Sequence, residues 1–325
     1  MSAHIRPLEP QDSGAWSAWR RAAWPQRVGA RALEVVASKY WRNPASARCP
    51  GSGLYAYVAR GEILGVIGAF PMPLRAGGGV VPGHALVDWA VLPRVRDGAI
   101  GGRLLQFGLG LPGAKLGIGG GPHSLATLES RARRIDMRMV RIVRDPIRVL
   151  AAKRLEILAE MHPATQTAAP DTAPSADLLR RLFEAPGDAS VRVDRRAEDL
   201  LHAAGDAHLT GVRIWTCDAP AGAAVVARTG IGTLLALNVL AVRWEGGAEA
   251  SAAFGKWMRG RIREEAPAFV SVHDSELARS AGLLTLAGPK RISTEWWWIF
   301  DAPQSPPAGS SCRFEGLDSD QVWCG

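Results

Sequence analysis

The sequence predicts a mixed α/β protein made of two similar domains in tandem. Residues 1–155 have the pattern of two helices, a strand hairpin, a further strand and then alternating helix and strand, which is typical of an α+β mixed sheet. The same order returns more faintly over residues 176–301. Between them, residues 156–175 are rich in proline and small residues and predict a linker, and residues 302–325 have the composition of a flexible tail.

The composition is that of a folded globular protein. Of the 325 residues, 47% are hydrophobic and 22% are charged, which excludes a disordered or collagen-like chain. The sequence contains no run of about 18 uncharged apolar residues, and its N-terminus lacks the apolar core of a secretion signal. We therefore expect a cytoplasmic protein without membrane contact.

The spacing of the cysteines and the net charge limit which metal sites, disulfides and ligands can be expected. The four cysteines are far apart and form no Cys-x-x-Cys pair, so neither a zinc site nor a disulfide framework is predicted, and we expect no metal. The formal net charge of +8 suits an anionic ligand or a nucleic acid. Only five of the 39 basic residues are lysine, however, so a general bias toward arginine explains much of this excess.

The first half begins with two predicted helices. The second of them covers Ala32–Trp41 and ends before Pro44, because the residue that precedes a proline disfavours helix. Two strands follow with the short loop Arg60–Glu62 between them, which predicts a hairpin. A further strand over Ala85–Leu92 ends at a proline and leads into a helix.

The segment from residue 85 to residue 105, ALVDWAVLPRVRDGAIGGRLL, carries the chemistry that can be predicted. The first N–H groups of a helix have no partner within the helix, and together with the helix dipole they bind phosphate. Small side chains let a ligand approach them. The small residues are Gly98, Ala99, Gly101 and Gly102, and the nearby positive charges are Arg94, Arg96 and Arg103. The same glycines also suit a positive φ angle or a close contact between helix and strand, so the turn alone leaves the ligand open.

The pattern V-x-P-x-x-R-x-x-A-x-G-x-x-L-L, after two helices and a hairpin, resembles the coenzyme A signature of the GNAT N-acyltransferases. Arg96, Ala99 and Gly101 stand at the signature positions, with alanine in place of the first glycine. The resemblance covers residues 1–150 well and residues 175–301 by element order alone. It implies two tandem GNAT-like domains, of which the second is degenerate.

This resemblance implies direct transfer of an acyl group from acetyl-CoA or another acyl-CoA to a small-molecule amine acceptor. The residues expected to contact the CoA are Arg96, Asp97, Gly98, Ala99, Ile100, Gly101, Gly102 and, on the following helix, Ser124. The amide of Val91 or a neighbour is expected to polarise the thioester carbonyl. Neither a covalent enzyme intermediate nor a metal is needed.

An acceptor amine must lose a proton, and the sequence offers two candidates for the base. Asp88 lies in an otherwise apolar strand, where a carboxylate is costly unless it is solvated or paired, so a loop cap or an ion pair with an arginine is its alternative role. His84 is the second candidate, because histidine titrates near neutral pH, and a solvated strand start is its alternative. The resemblance also implies a tyrosine acid on the helix Ser124–Ile135, where this chain has none.

The acceptor and two other functions stay open. The segment Tyr40–Pro44, YWRNP, resembles acyltransferase-like proteins of bacterial surface-polysaccharide biosynthesis, so an amino sugar is the first acceptor expected. Fem-type ligases, which use aminoacyl-tRNA, share the tandem architecture; the basic charge favours them and the intact Arg96–Gly101 pattern argues against them. A non-catalytic binding protein of the same fold is the third function, supported by Ala99 and the missing tyrosine. Outside the tRNA alternative, no nucleic-acid partner is expected.

The second half keeps the order of elements but lacks the CoA signature. After the strand predicted over residues 233–243, Glu245 and Glu249 stand at the helix start, where carboxylates repel phosphate. We therefore expect CoA binding in the first half only.

Overall fold

The computed structural model divides the chain into two compact units. The first comprises Met1–Ile142, Ala189–Asp194 and Glu295–Arg313, and the second comprises Val143–Asp188, Arg195–Thr294 and Phe314–Gly325. The residues that the structure describes are 3–24, 32–76, 79–96, 99–118, 122–134, 138–143, 147–151, 174–184, 191–206, 211–231, 234–265, 267, 269–272, 290–292, 295–300 and 312–313.

The described helices and strands are numbered here in chain order. The strands are β1 (His4–Pro7), β2 (Gly53–Ala59), β3 (Glu62–Pro71), β4 (Leu74–Ala76), β5 (Gly79–Val81), β6 (Gly83–Val91), β7 (Ala114–Ile118), β8 (Arg138–Val143), β9 (Ile147–Ala151), β10 (Val191–Val193), β11 (Val212–Asp218), β12 (Ala221–Ile231), β13 (Leu234–Trp244), β14 (Phe269–Val272), β15 (Lys290–Ile292), β16 (Glu295–Phe300) and β17 (Cys312–Arg313). The helices are α1 (Ser13–Ala23), α2 (Ala32–Val36), α3 (Ile100–Leu109), α4 (Pro122–Arg134), α5 (Ala176–Phe183), α6 (Ala197–Gly205) and α7 (Ala248–Glu265).

The main sheet of the first unit has the strand order β1-β2-β3-β6-β7-β16-β8. The β1–β2, β2–β3, β3–β6 and β7–β16 pairs are antiparallel, and the β6–β7 pair is parallel. Arg60 and Gly61 have φ angles of 54° and 79°, the positive angles of a two-residue hairpin turn. The hairpin predicted from the loop sequence is therefore confirmed.

A β-bulge in β6 changes the face on which its side chains lie. Two residues of β6, Asp88 and Trp89, stand opposite the single residue Ile67 of β3. Side chains alternate between the two faces of a regular strand, and one extra residue shifts that alternation. Leu86, Trp89 and Val91 therefore pack together in the core beside α3.

Helix α3 covers one face of this sheet. Leu104, Leu105 and Leu109 are buried against Ile67 and against Leu128 of α4. Burial of each such leucine stabilises the fold by about 2 kcal/mol. The start of α3 is thereby fixed beside the end of β6.

The second unit repeats this pattern of strands. Its sheet has the order β11-β12-β13-β14-β9-β15, with β11–β12, β12–β13 and β14–β9 antiparallel and β13–β14 parallel. Phe254, Met258 and Ile262 of α7 are buried in its core. A register shift between β12 and β13 leaves Leu240 as the extra residue, since Val225 pairs with Ala241 and Val226 with Val239. The bulge is thus repeated as well.

Each unit completes its sheet with a strand from the other half of the chain. β9 lies within the first predicted domain, yet it pairs with β14 and β15 in the second unit. β16 lies within the second predicted domain, yet it pairs with β7 in the first unit. The units therefore differ from the contiguous domains expected at residues 1–155 and 176–301, because hydrogen bonding between strands, and not distance along the chain, decides which strands share a sheet.

Part of the expected tail is also a strand. β17 pairs with β10 in a small sheet of order β17-β10-β4-β5, in which Asp194 follows β10 and accepts two hydrogen bonds from Arg75, at 2.6 and 3.2 Å. The other residues of the tail, and nearly all of the linker predicted over 156–175, lie outside the described residues.

Candidate functional site

The C-terminal part of β6 is open on one side. Its parallel ladder with β7 ends at the pair Leu86–Gly117, whereas its antiparallel ladder with β3 continues to the pair Val91–Gly65. Residues 87–91 have no ladder with the described part of β7. We call these residues the open edge of β6.

The backbone of Val91 presents a hydrogen-bond donor at the open edge. The N–H of Leu92 donates to the carbonyl of Leu64 at 2.9 Å, so it points toward β3. Successive N–H groups of a strand point in opposite directions. The N–H of Val91 therefore points away from β3, to the side on which β6 has no ladder with the described part of β7.

Asp88 occupies the bulge in an unusual backbone conformation. Its φ angle of 51° lies in the left-handed region, which costs a residue other than glycine about 1 kcal/mol, although aspartate tolerates it better than most. Its side chain is 24% exposed. The bulge thus keeps the carboxylate out of the core beside α3 and leaves it partly accessible.

Two side chains from the second helical segment hold this carboxylate. The Nζ of Lys39 donates to Asp88 Oδ2 at 2.8 Å, and the Oη of Tyr40 donates to the same oxygen at 2.6 Å. Lys39 and Tyr40 are each 2% exposed. An ion pair with an arginine was the alternative role expected for Asp88. The ion pair is present, but its cation is a lysine. We call these three residues the Asp88 cluster.

A π-helical turn, Ala37–Trp41, places both donors together. It continues α2, and within it Lys39 and Tyr40 are adjacent in sequence. The turn is fixed from behind, because the Asn43 side chain donates to the Lys39 carbonyl at 3.1 Å and Ser46 Oγ donates to the Tyr40 carbonyl at 2.8 Å. Turns of this type are rare and recur at functional sites.

Gly68 makes room for the Asp88 cluster. A Cβ atom at this position would lie 2.0 Å from Tyr40 Oη and 3.1 Å from the Val87 carbonyl oxygen. The tyrosine therefore reaches Asp88 across a strand position that carries no side chain. The ring of Tyr40 also packs edge-on against Phe70, with centroids 6.4 Å apart.

The Arg96–Gly102 turn leads from β6 into α3. A single 3₁₀ turn, Pro93–Val95, follows β6, and α3 begins at Ile100 with Ala99 as its N-cap. Ala99 has no side chain that could accept a hydrogen bond from the helix start, so the first N–H groups of α3 have no side-chain cap from it. Two of the predicted CoA contacts, Asp97 and Gly98, lie outside the described residues.

The two glycines of α3 have different surroundings. A Cβ at Gly101 would make ordinary contacts with Trp89 and Val91, at 3.7 to 3.8 Å. Trp89 Nε1 also donates to the Gly101 carbonyl at 3.1 Å, which ties β6 to α3. A Cβ at Gly102 would lie 3.0 Å from Nη2 of Arg131 on α4. A guanidinium group therefore lies close to the start of α3.

His84, the second candidate for the base, is inside the protein. It is 1% exposed, and neither ring nitrogen makes a hydrogen bond of good geometry, although the carbonyls of Cys49, Pro50 and Pro112 lie around the ring. Burial, together with the charge of Lys115 on the neighbouring strand, lowers the pKa of His84 to about 4. His84 is therefore a buried residue in this structure, and the solvated strand start that was its alternative is wrong.

The remaining candidate lies on a different helix. Ser124 is in the first turn of α4.

In the part of the chain that the structure describes, no group of three or more His, Cys, Asp or Glu residues could hold a metal ion. No helix among the described residues is both long and apolar enough to cross a membrane.

The sequence did not indicate Lys39 or Tyr40 as parts of the site. Lys39 and Tyr40 precede Asp88 by 49 and 48 residues, so no local pattern connects them. One usable signal was the choice of lysine at position 39, since only five of the 39 basic residues are lysine.

Solved structures identify the fold. No protein-family model matches this chain, and no curated protein sequence matches it. A GCN5-related N-acetyltransferase from Kribbella flavida is 13% identical with a TM-score of 0.55, over 92% of this chain and 70% of that protein. A GCN5-related N-acetyltransferase from Anabaena variabilis is 12% identical with a TM-score of 0.54, over 92% and 72%. The chain therefore has the GNAT fold, and the fold prediction is confirmed.

Proposed function

We propose that this protein transfers an acyl group from acyl-CoA to a primary amine by direct attack of the amine. The observation that carries the proposal is the open edge of β6, where an outward-pointing amide (Val91) and a carboxylate (Asp88) lie on one strand that leads into the start of α3. These are the groups that direct acyl transfer needs: a donor for the carbonyl oxygen, an acceptor for the proton and an anion site for the CoA.

The start of α3 suits the pyrophosphate of CoA. Its first N–H groups receive no side-chain cap from Ala99, Gly101 places no side chain over the backbone, and Arg131 adds a positive charge near Gly102. Arg96 is exposed in the turn before the helix. An anion bound there neutralises the positive end of the helix dipole, which is worth about 1 kcal/mol before any side chain contributes.

The transfer itself makes limited demands on the protein. The amine nitrogen forms a bond to the acyl carbon, the carbon–sulfur bond breaks, and CoA leaves as a thiolate. Negative charge develops on the carbonyl oxygen, and one well-placed N–H donor such as that of Val91 stabilises it by about 3 kcal/mol. Asp88 accepts the proton that the nitrogen loses.

The acceptor to test first is an amino sugar, as the YWRNP segment suggests. That segment supplies Tyr40 to the Asp88 cluster and Asn43 to the turn behind it, so it belongs to the part of the protein that lies beside the open edge. The experiment is release of free thiol from acetyl-CoA with a panel of amino sugars, simple primary amines and amino acids. Binding of CoA without turnover of any amine would instead favour a non-catalytic binding protein.

Gly101→Glu is expected to weaken CoA binding by about tenfold or more, because it places bulk and negative charge where the pyrophosphate approaches the helix. A Cβ atom at this position meets only ordinary contacts within the protein, so the fold should survive. Isothermal titration with CoA measures the effect. The control is Gly260→Glu on α7, which adds the same charge in open space. Equal affinities of the two variants would place the CoA elsewhere.

The full chain is expected to bind one CoA. At the place in the second unit that corresponds to the start of α3, Glu245 follows β13 and forms an ion pair with Arg181 at 2.9 Å, and Glu249 lies in the first turn of α7. Two carboxylates there oppose a pyrophosphate. Native mass spectrometry of the protein with excess CoA gives the count, and a stoichiometry of two would contradict the proposal for the second unit.

A further inference from the structure

We propose that Lys39 and Tyr40 are positioning residues for Asp88: they fix its carboxylate as a partly exposed anion within the open edge of β6, ready to take the acceptor's proton. This inference rests on the proposed function and extends it to two residues that touch Asp88 but none of the reacting atoms. It concerns how the site is held, and it leaves the identity of the acceptor open.

The geometry fixes the carboxylate in one orientation. Both donors reach the same atom, Oδ2, at 2.8 and 2.6 Å, which stops the carboxylate from rotating about its bond to Cβ. Hydrogen bonds to a charged acceptor are about twice as strong as neutral ones, and they favour the ionised form. A group that exchanges a proton with a substrate benefits from such fixation, because its position is set before the substrate arrives.

Burial is unequal across the ion pair. The Lys39 side chain is 3% exposed and the Asp88 side chain 24%. The ammonium group is thus enclosed, with the rings of Tyr40 and Phe70 5.6 and 5.9 Å from Nζ, while the carboxylate reaches the surface. A buried ammonium group without its counter-ion costs free energy. Lys39, which lies on the buried side of the ion pair, therefore keeps the Asp88 carboxylate ionised. On the neighbouring strand, Ile67 and Gly68 present no ionisable group to Asp88.

The cluster depends on three local features that are unfavourable or rare by themselves. They are the left-handed backbone of Asp88, the π-helical turn that carries Lys39 and Tyr40, and the empty position at Gly68. Local strain of this kind is typical of functional sites. All three serve the same set of contacts around one carboxylate.

The second unit is an internal control. Its sheet has the same pairing pattern, and its bulge also lies close to the parallel ladder, whose described pairs run to Val239–Val272. The extra residue is Leu240, which is 2% exposed and has no charge to hold. The bulge therefore forms without a carboxylate, and a structural requirement of the sheet does not explain the Asp88 cluster.

The proton balance is simple. The nitrogen of the acceptor bonds to the acyl carbon and gives its proton to Asp88, while sulfur leaves with the electron pair of the carbon–sulfur bond and is protonated by water. Asp88 then returns its proton to water. Lys39 and Tyr40 keep their own protons throughout, which separates a positioning role from that of an acid.

The decisive variant is Tyr40→Phe, which removes one oxygen and leaves the ring against Phe70. We expect kcat to fall about tenfold, KM and CoA affinity to change less than about twofold, and the acidic limb of the kcat profile to move up by about one pH unit, since the carboxylate has lost one donor. Tyr55→Phe is the matched control: that hydroxyl donates to the Gly51 carbonyl at 2.7 Å, in the same unit. A drop in kcat with an unmoved acidic limb would contradict the inference.

The role of Lys39 is tested by comparing two variants at this position. Lys39→Arg should keep most of the turnover, because it retains the charge, whereas Lys39→Met should lose it. Should Lys39→Met fold poorly, the double variant Lys39→Met/Asp88→Asn, which removes both charges, should recover thermal stability without recovering turnover. Equal kcat values for Lys39→Arg and Lys39→Met would overturn the role of Lys39.

Failure of the proposed function is distinguishable from failure of this inference. If the wild-type protein releases no thiol with any amine of the panel, the proposed function is wrong. The inference is then tested by carboxyl-carbon NMR of Asp88 during a pH titration. An Asp88 signal that titrates at higher pH in Tyr40→Phe than in the wild type supports it, and identical titrations contradict it.

Discussion

Asp88→Asn is expected to lower turnover by about a hundredfold or more while CoA affinity stays nearly the same. Asparagine keeps the size of the side chain and an oxygen for Tyr40, but it cannot take a proton. In the proposed site, CoA binds through the start of α3, which does not involve this side chain. The measurements are steady-state thiol release and calorimetric CoA affinity, both made well below the melting temperature of the variant.

The control for Asp88→Asn is another paired aspartate of the same unit. Asp12 accepts hydrogen bonds from Arg6 at 2.6 and 2.7 Å, and its side chain is 10% exposed. The hydrogen bond from Arg6 holds the pKa of Asp12 below its usual value. Asp12→Asn removes a comparable ion pair far in sequence from the bulge, so it should lower stability without lowering turnover. Equal losses of turnover in the two variants would mean that Asp88 acts only through stability.

Acid is expected to destabilise the protein through His84. Its pKa of about 4 in the folded protein lies below the usual value near 6.5, so only the unfolded chain takes up this proton between these values. The stability that neutral His84 contributes is complete above about pH 6.5 and is lost as the pH falls toward 4, by about 3 kcal/mol in all. Urea unfolding at a series of pH values measures this loss.

Replacing His84 separates its contribution to the pH dependence of stability from that of the other titratable groups. In His84→Gln, which does not titrate, the fall in unfolding free energy between pH 6.5 and 4 should be smaller by that amount. The control is His4→Gln, since His4 is exposed on β1. The attribution to His84 is rejected if wild type and His84→Gln lose stability in parallel over this range.

Local sequence patterns predicted much of the first unit. The loop at Arg60 and Gly61 has the residues of a tight hairpin turn, and Pro93 marks the end of β6 because it removes a backbone donor. The Arg96–Gly102 turn was conspicuous because a helix start suited to phosphate needs small residues close together in sequence. Asp88 was conspicuous as the charged residue of an apolar strand.

The rest depended on partners that are distant in sequence. Nothing in the residues of β9 or β16 states which strand each will pair with, since any strand offers the same backbone donors and acceptors. The burial of His84 follows from the turns packed around it, and the lysine of the Asp88 cluster comes from a predicted helix whose sequence does not indicate its distant partner. The π-helical turn and the bulge are single-residue irregularities, which periodic patterns do not reveal.

The exchange of β9 and β16 bears on how such a chain changes during evolution. A cut between the two halves leaves each unit without one strand of its sheet, and an incomplete sheet exposes an unpaired edge that promotes aggregation. A variant that loses either half is therefore selected against, whether or not that half binds a ligand. A duplicated half that has lost its ligand remains under selection for its strand, so its core is maintained while its surface and its loops are free to diverge.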